Sequence, residues 1–231
     1  MVTSRLKRIT GEPVDLSLYL VTDYYLATQM GRTELEVVKA AVAGGVTTIQ
    51  FRDKHREGRE LYRVGRELRD FCTQAGVTFI VNDHLDLALV LEADGVHLGQ
   101  SDLPLEIARQ LTGDKLFIGL SVVSEQETLA ALELKADYLG ASPVFTSTTK
   151  PDAGEGIGLA KLARLVQLAA DVPVVGIGAI NTSNATGVIQ AGASGIAVVS
   201  AIVSADDITK AAQQLRQEVD KARGSATLSS L

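Results

Sequence analysis

Tryptophan is absent from the chain, and the aromatic residues together make up only 4% of it. With so few large rings the core must be filled by Ala, Val, Leu and Gly, which suits helices and sheet packed closely in layers. Cysteine occurs once, at position 72. A single thiol forms no intramolecular disulfide and no thiolate metal cluster, and Cys72 falls in a helical pattern that reads as buried packing. No apolar run is long enough to span a bilayer, so no membrane partner is expected. Met1 to Thr10 carries basic residues without an apolar stretch behind them and does not read as a secretory signal, so the expected location is cytoplasmic. Positive charge is also in short supply, with 22 Lys and Arg against 28 Asp and Glu and a formal net charge of −6. Such a surface argues against nucleic acid as a partner and points to small molecules, with a local basic site still allowed.

What is present is hydrophobic content of 46% over 231 residues, enough for one large core. The expectation is a single domain over 1–231, with a loose arm at 1–12 and a frayed tail at 224–231. A homo-oligomer is compatible with this composition.

Eight apolar, β-branched runs alternate with helical patterns. The expected strands are Leu16–Thr22, Val46–Phe51, Val77–Asp83, Gly95–Leu98, Leu116–Ser121, Tyr138–Ala141, Val174–Gly178 and Ala193–Ser200. Between them Thr33 and Glu36 form a capping box for a helix over Glu34–Ala43, and Leu61, Val64, Leu68 and Phe71 share one face of a helix over Arg59–Gln74. Further helices are expected over Leu85–Leu91, from Pro104 to Leu111, over Glu125–Leu134 behind a Ser124 cap, and over Leu159–Ala169, Asn181–Gln190 and Asp206–Arg223. Strand–helix alternation forces parallel pairing through crossovers. Eight such units in this length fit a single (β/α)8 TIM barrel of the α/β class better than an open doubly wound sheet, which would carry a glycine-rich loop where this chain has Thr22-Asp23-Tyr24.

The strands begin blandly and end in polar residues, and in a barrel those ends share one rim. The second strand runs into Gln50, Arg52 and Lys54, which alternation puts on one face if the strand persists that far, with Phe51 and Asp53 on the other. Three donors on one face suggest an anion site; a salt-bridged strand terminus is the plainer alternative. Asn82 and Asp83 end the third strand, Gln100 and Asp102 follow the fourth, and Ser121 ends the fifth. Asp83 and Asp102 are candidate Mg²⁺ ligands, since two carboxylates plus water and substrate oxygens are a usual way to hold that ion; each could instead cap the helix that follows. His97, mid-strand in Gly-Val-His-Leu-Gly, reads as a core histidine bonded to a neighbour. The segment Phe145 to Asp152 offers Thr146, Ser147, Thr148, Thr149 and Lys150, suited either to phosphate oxygens or to plain solvation. Gly178 and Ala179 after the seventh strand, and Val199 and Ser200 after the eighth, lie where this fold often binds phosphate through backbone N–H groups. These residues together describe an enzyme taking one diphosphate and one monophosphate.

The ordered motifs Leu-Tyr-Leu-Val-Thr-Asp, Gln-Phe-Arg-Asp-Lys, Val-Asn-Asp, Gly-Val-His-Leu-Gly-Gln-Ser-Asp, Pro-Val-Phe-Thr-Ser-Thr-Thr-Lys and Val-Val-Gly-Ile-Gly-Ala-Ile closely resemble the thiamine phosphate synthase family from about Leu18 to Lys221. The resemblance implies a (β/α)8 transferase of thiamine biosynthesis. It would use Mg²⁺ to join hydroxymethylpyrimidine diphosphate to a thiazole phosphate through a carbocation-like path. It implies a pyrimidine-diphosphate site at Gln50, Phe51, Arg52, Asp53, Lys54, Asn82, Ser121 and Lys150, with Arg52, Lys54, Ser121 and Lys150 serving catalysis. It implies Mg²⁺ ligands at Asp83 and Asp102, and a thiazole-phosphate site at Ser147, Thr148, Thr149, Gly178, Ala179, Val199 and Ser200. The chain departs from the family at Ala179, where a second glycine is common. The backbone N–H survives that change if φ stays negative. The alternatives are a related thiazole tautomerase-like barrel doing proton transfer and a non-catalytic phosphometabolite-binding barrel.

Overall fold

A computed structural model describes residue 8, residues 11–146 and residues 155–228. Eight parallel strands close on themselves in chain order, β1 to β8, with β8 pairing back to β1 through Leu18 and Ile196. The strands are β1 (Leu18–Val21), β2 (Thr48–Phe51), β3 (Thr78–Asn82), β4 (Gly95–Leu98), β5 (Phe117–Val122), β6 (Tyr138–Ala141), β7 (Val174–Ile177) and β8 (Gly195–Val198). The helices are α1 (Tyr24–Gln29), α2 (Glu34–Ala43), α3 (Gly58–Ala75), α4 (Leu85–Val90), α5 (Leu105–Thr112), α6 (Glu125–Glu133), α7 (Gly158–Ala169), α8 (Ala185–Gln190), α9 (Ser200–Val203) and α10 (Ile208–Leu228).

The expected barrel is therefore the observed one, and its small departures have local causes. The short helices α1 and α9 were not expected, being too brief for a periodic pattern. Asp23, read as a polar strand end, instead caps α1 by accepting the Leu26 N–H at 3.1 Å. The capping box at Thr33 and Glu36 forms as expected. Helix α10 extends to Leu228, into the tail expected to fray, and residues 229–231 lie outside the described residues.

Period-two alternation splits the core into two shells. Leu18, Leu20, Ile49, Phe51, Phe79, Val81, Val96 and Leu98 point outward and pack under the helices. Tyr19, Val21, Ile80, Phe117, Tyr138, Val175 and Ala197 fill the barrel interior. Two glycines make room for the large interior rings. A Cβ at Gly119 would sit 2.2 Å from the Tyr138 ring, and one at Gly140 would sit 3.0 Å from His97 Cε1.

The strand starts are not bland. Asp94, just before β4, accepts the Phe79 N–H at 2.9 Å and pairs with Arg69 at 3.4 Å and Arg8 at 3.5 Å. Asp137, just before β6, pairs with Arg109 and accepts the Ile118 N–H at 2.7 Å. Within the segment expected to be a loose arm, the Arg8 side chain is buried against Asp94, and residues 1–7, 9 and 10 lie outside the described residues.

Candidate active site

The C-terminal ends of the strands open onto a cavity of about 180 Å³ inside the barrel mouth. Cavities of roughly that size take up a single aromatic ring. Gln50, Arg52, Asn82, Ser121, Ser142 and Val199 line it with Tyr19, His97 and Tyr138. All come from inward positions, so strand alternation alone selects them. The predicted face of Gln50 and Arg52 is therefore turned to the cavity. Phe51 and Asp53 face the other way. Phe51 stacks on Phe79 in the outer shell, with ring centroids 6.5 Å apart. The buried Asp53 carboxylate accepts the N–H groups of His55, at 2.8 Å, and Arg56, at 3.0 Å, and pairs with the Arg56 guanidinium. Burial alone would raise its pKa; the Arg56 and His55 N–H groups and the guanidinium outweigh that and hold it below the usual range. Arg56 also pairs with Glu34 and lies 4.1 Å from the centre of the Tyr24 ring, so this cluster shapes the β2–α3 loop rather than the cavity.

Asp83 and Asp102 come together at the rim, close enough for a carboxyl–carboxyl hydrogen bond. Burial first, and then the Asp102 carboxyl, push the Asp83 pKa above the ordinary carboxylate value; Lys54 and Arg52 pull it back only in part. Lys54 Nζ lies 3.8 Å from Asp83 Oδ2, with its side chain 55% exposed. Neither carboxylate caps the helix after it: the N-cap positions of α4 and α5 are His84 and Pro104, and neither helix has a side-chain cap. Asp102 instead accepts the Gly99 N–H at 2.6 Å. Asp83 holds φ at +63°, a left-handed conformation that Asp tolerates better than most residues.

Below the rim a continuous chain of polar groups crosses the barrel. Gln50 Nε2 donates to the Tyr19 hydroxyl at 2.7 Å, which lies 3.0 Å from the Tyr138 hydroxyl. That hydroxyl is 2.8 Å from His97 Nδ1, and His97 Nε2 is 2.9 Å from Ser121 Oγ. Burial raises both tyrosine pKa values and lowers that of His97 to about 4, so all three stay neutral near pH 7. His97 is bonded to neighbours, as expected, but it also lines the cavity. Tyr19 and Tyr138 were not among the sequence candidates, because inward mid-strand rings look like core. The mid-strand glycines 119 and 140 were the available signal.

On the far side of the mouth, Gly178 has φ +116°, and a Cβ there would come within 2.7 Å of Pro143 Cα and 2.9 Å of Val144 N. The Val144 N–H donates to the Ile177 carbonyl at 2.8 Å, which ties the start of the β6–α7 loop to the end of β7. Ala179 has φ +48°, so the condition of a negative φ is not met. Asn184 Nδ2 holds its carbonyl at 3.0 Å. Ser200 opens α9 behind Val199, next to β7 in the barrel. Ser147, Thr148, Thr149 and Lys150 lie outside the described residues.

The family model described as thiamine monophosphate synthase matches residues 18–202. The chain is 50% identical over 203 residues to the thiamine-phosphate synthase of Chloroflexus aurantiacus, covering 88% of this chain and 92% of that one. It is 49% identical over 194 residues to that of Moorella thermoacetica, covering 84% and 92%. Among solved structures it resembles thiamine phosphate pyrophosphorylase from Pyrococcus furiosus, with a TM-score of 0.83 and 42% identity over 90% of this chain and 98% of that one. A 3-hexulose-6-phosphate synthase structure at 19% identity and TM-score 0.64 shares the barrel alone. With that agreement across the whole barrel, the chain belongs to the thiamine phosphate synthase family and is a transferase.

Proposed function

We propose that the site transfers a hydroxymethylpyrimidine group from its diphosphate to the nitrogen of a thiazole phosphate, giving thiamine monophosphate and free diphosphate. The observation that carries this reading is the meeting of Asp83 and Asp102 with Lys54 and Arg52 at one rim of a ring-sized cavity. Two adjoining carboxylates repel each other, and a divalent cation relieves that repulsion. Among the described residues no cluster of three or more acidic, His or Cys side chains occurs. A hard cation here would therefore complete its shell with substrate oxygens and water, the habit of Mg²⁺. Asp83 and Asp102 would hold it, and when bound it would neutralise charge on the diphosphate oxygens.

The chain's own groups supply the rest. Arg52, Lys54 and Lys150 oppose the negative charge that grows on the departing diphosphate. Gln50, Asn82 and Ser121 hold the pyrimidine in the cavity. Its electron-rich ring supports the methylene cation as the C–O bond breaks, and the thiazole nitrogen then attacks that carbon. No protein nucleophile enters. Backbone N–H groups at Gly178, Ala179, Val199 and Ser200, with the hydroxyls of Ser147, Thr148 and Thr149, hold the thiazole phosphate. Phe51 and Asp53, facing away, take part only through their backbone and through the shape of the loop. A cytoplasmic setting accords with one buried thiol, and among the described residues no helix is long and apolar enough to cross a membrane.

The test is Mg²⁺-dependent release of diphosphate when both substrates are mixed. Release that needs the thiazole phosphate and the metal is the expected result. Proton exchange on a thiazole substrate without diphosphate release would mark the tautomerase chemistry instead, and binding with neither would mark a carrier.

A further inference from the structure

The sheet releases β2 at Phe51, the last of its residues in register with β3. Beyond it Arg52, Asp53 and Lys54 have no registered partner on β3 to keep them extended. Alternation nevertheless continues. Arg52 lines the cavity, Asp53 is buried on the opposite face, and Lys54 comes back to the rim 3.8 Å from Asp83. Side chains replace the missing ladder. The Arg52 N–H donates to Thr22 Oγ1, just past β1, at 3.0 Å. Asp53 is held outward by Arg56, whose guanidinium also pairs with Glu34 at the start of α2 and lies over the Tyr24 ring of α1. His55 meets Tyr25 edge-on, with ring centroids 4.1 Å apart. The cavity wall includes Arg52 but not Asp53, Arg56 or Glu34.

Stability alone does not call for this arrangement. Two buried carboxylates share one guanidinium. Burial first, and the Asp53 charge after it, push the Glu34 pKa up, and the Arg56 guanidinium recovers only part of that. Apolar groups of similar volume often replace a buried ion cluster with no loss of stability. What an apolar cluster lacks is direction. A carboxylate gripped from outside fixes the way Asp53 points, and alternation then turns both of its neighbours inward.

We propose that Glu34 and Arg56 are positioning residues for the diphosphate half of the reaction: they pin Asp53 outward and so aim Arg52 and Lys54 together at the leaving group. The proposal rests on the reading of the rim as the diphosphate site. Both residues act through the backbone of residues 52–54 and touch no substrate.

The experiment uses the paired substitution Glu34→Leu with Arg56→Met. It removes one negative and one positive charge, so the net charge and the long-range field stay as they are, and it refills the space with apolar groups. Arg56→Lys is the second variant and carries the test if the pair does not fold: it keeps the charge but not the planar fork that reaches both carboxylates. The readouts are calorimetric affinity for inorganic diphosphate with Mg²⁺, kcat, KM for each substrate, and the urea midpoint. In the pair, diphosphate affinity and kcat should each fall by about 10- to 100-fold, the scale of a misplacement of about 1 Å. KM for the thiazole phosphate and the urea midpoint should hold. Arg56→Lys should shift the same two quantities in the same direction by less. Unchanged diphosphate affinity in a folded variant overturns the proposal. So does an equal loss for both substrates in step with the urea midpoint, which would make the cluster a support of the fold only. If the unchanged protein binds no diphosphate and releases none, the reaction proposed above fails. Crystal structures of the variants then decide the pinning: Arg52 turned out of the cavity and Lys54 away from Asp83 support it, and both in place overturn it.

Discussion

The two ends of the barrel each hold acidic groups, and they use them in opposite ways. At the N-terminal end Asp94 and Asp137 are saturated. Asp94 accepts a backbone N–H and faces Arg69 and Arg8; Asp137 accepts another and pairs with Arg109. At the C-terminal end Asp83 faces another carboxyl, its nearest cation is 3.8 Å away and half exposed, and its backbone sits in a left-handed conformation. A paired carboxylate under a sheet supports the fold. A crowded one at the rim is under-neutralised, and that leaves it able to take a cation from outside.

This contrast can be broken one side at a time. The largest effect is expected at the rim, where Asp83→Asn should lower kcat/KM by about 100-fold or more, the scale seen when a charge-stabilising group is lost. The same change removes a like-charge neighbour, so the unfolding midpoint should stay level or rise. Loss of stability in step with activity would assign Asp83 to the fold. At the other end Asp94→Asn leaves buried guanidinium groups short of their partner and should lower stability by about 3–5 kcal/mol in denaturant titrations, with turnover per folded molecule preserved. Ala179→Gly relieves a left-handed alanine and should raise stability by about 1 kcal/mol; a fall in melting temperature would show that the Asn184 contact outweighs the strain.

The smallest effect is on pH dependence. The folded pKa of Asp83 lies above the ordinary value of 3.8, so the folded state holds that proton more tightly than the unfolded chain does. The stability this contributes is complete below the unfolded pKa and is lost as pH rises through the folded one. Metal-free protein should therefore lose stability as pH climbs from 3.8, and Asp83→Asn should flatten that slope. Identical pH profiles for the two proteins would remove Asp83 from the account.

The same two ends show what was legible in the sequence. Eight apolar runs with helices between them permit little besides a closed parallel barrel, so the architecture could be read directly. Gln50, Arg52 and Asn82 could be found because alternation and strand ends mark them. Asp83 and Asp102 were ambiguous between capping and metal binding, and only coordinates show that neither caps a helix. Asp94 and Asp137 were passed over because partners such as Arg8 and Arg109 lie far off in sequence, where no local pattern records an ion pair. Tyr19 and Tyr138 were hidden for a related reason, and His97 could be read as a bonded core histidine but not as part of the cavity wall: their bonds run across the barrel interior, between residues separated by up to 119 positions.

The measurement that bears most directly on the rim is a calorimetric titration of inorganic diphosphate, with and without Mg²⁺, into the unchanged protein and into Asp83→Asn and Asp102→Asn. Tight binding that requires Mg²⁺ and is lost in both variants is the predicted result. Equal affinity in all three proteins, or binding indifferent to the metal, would contradict a shared role for these carboxylates.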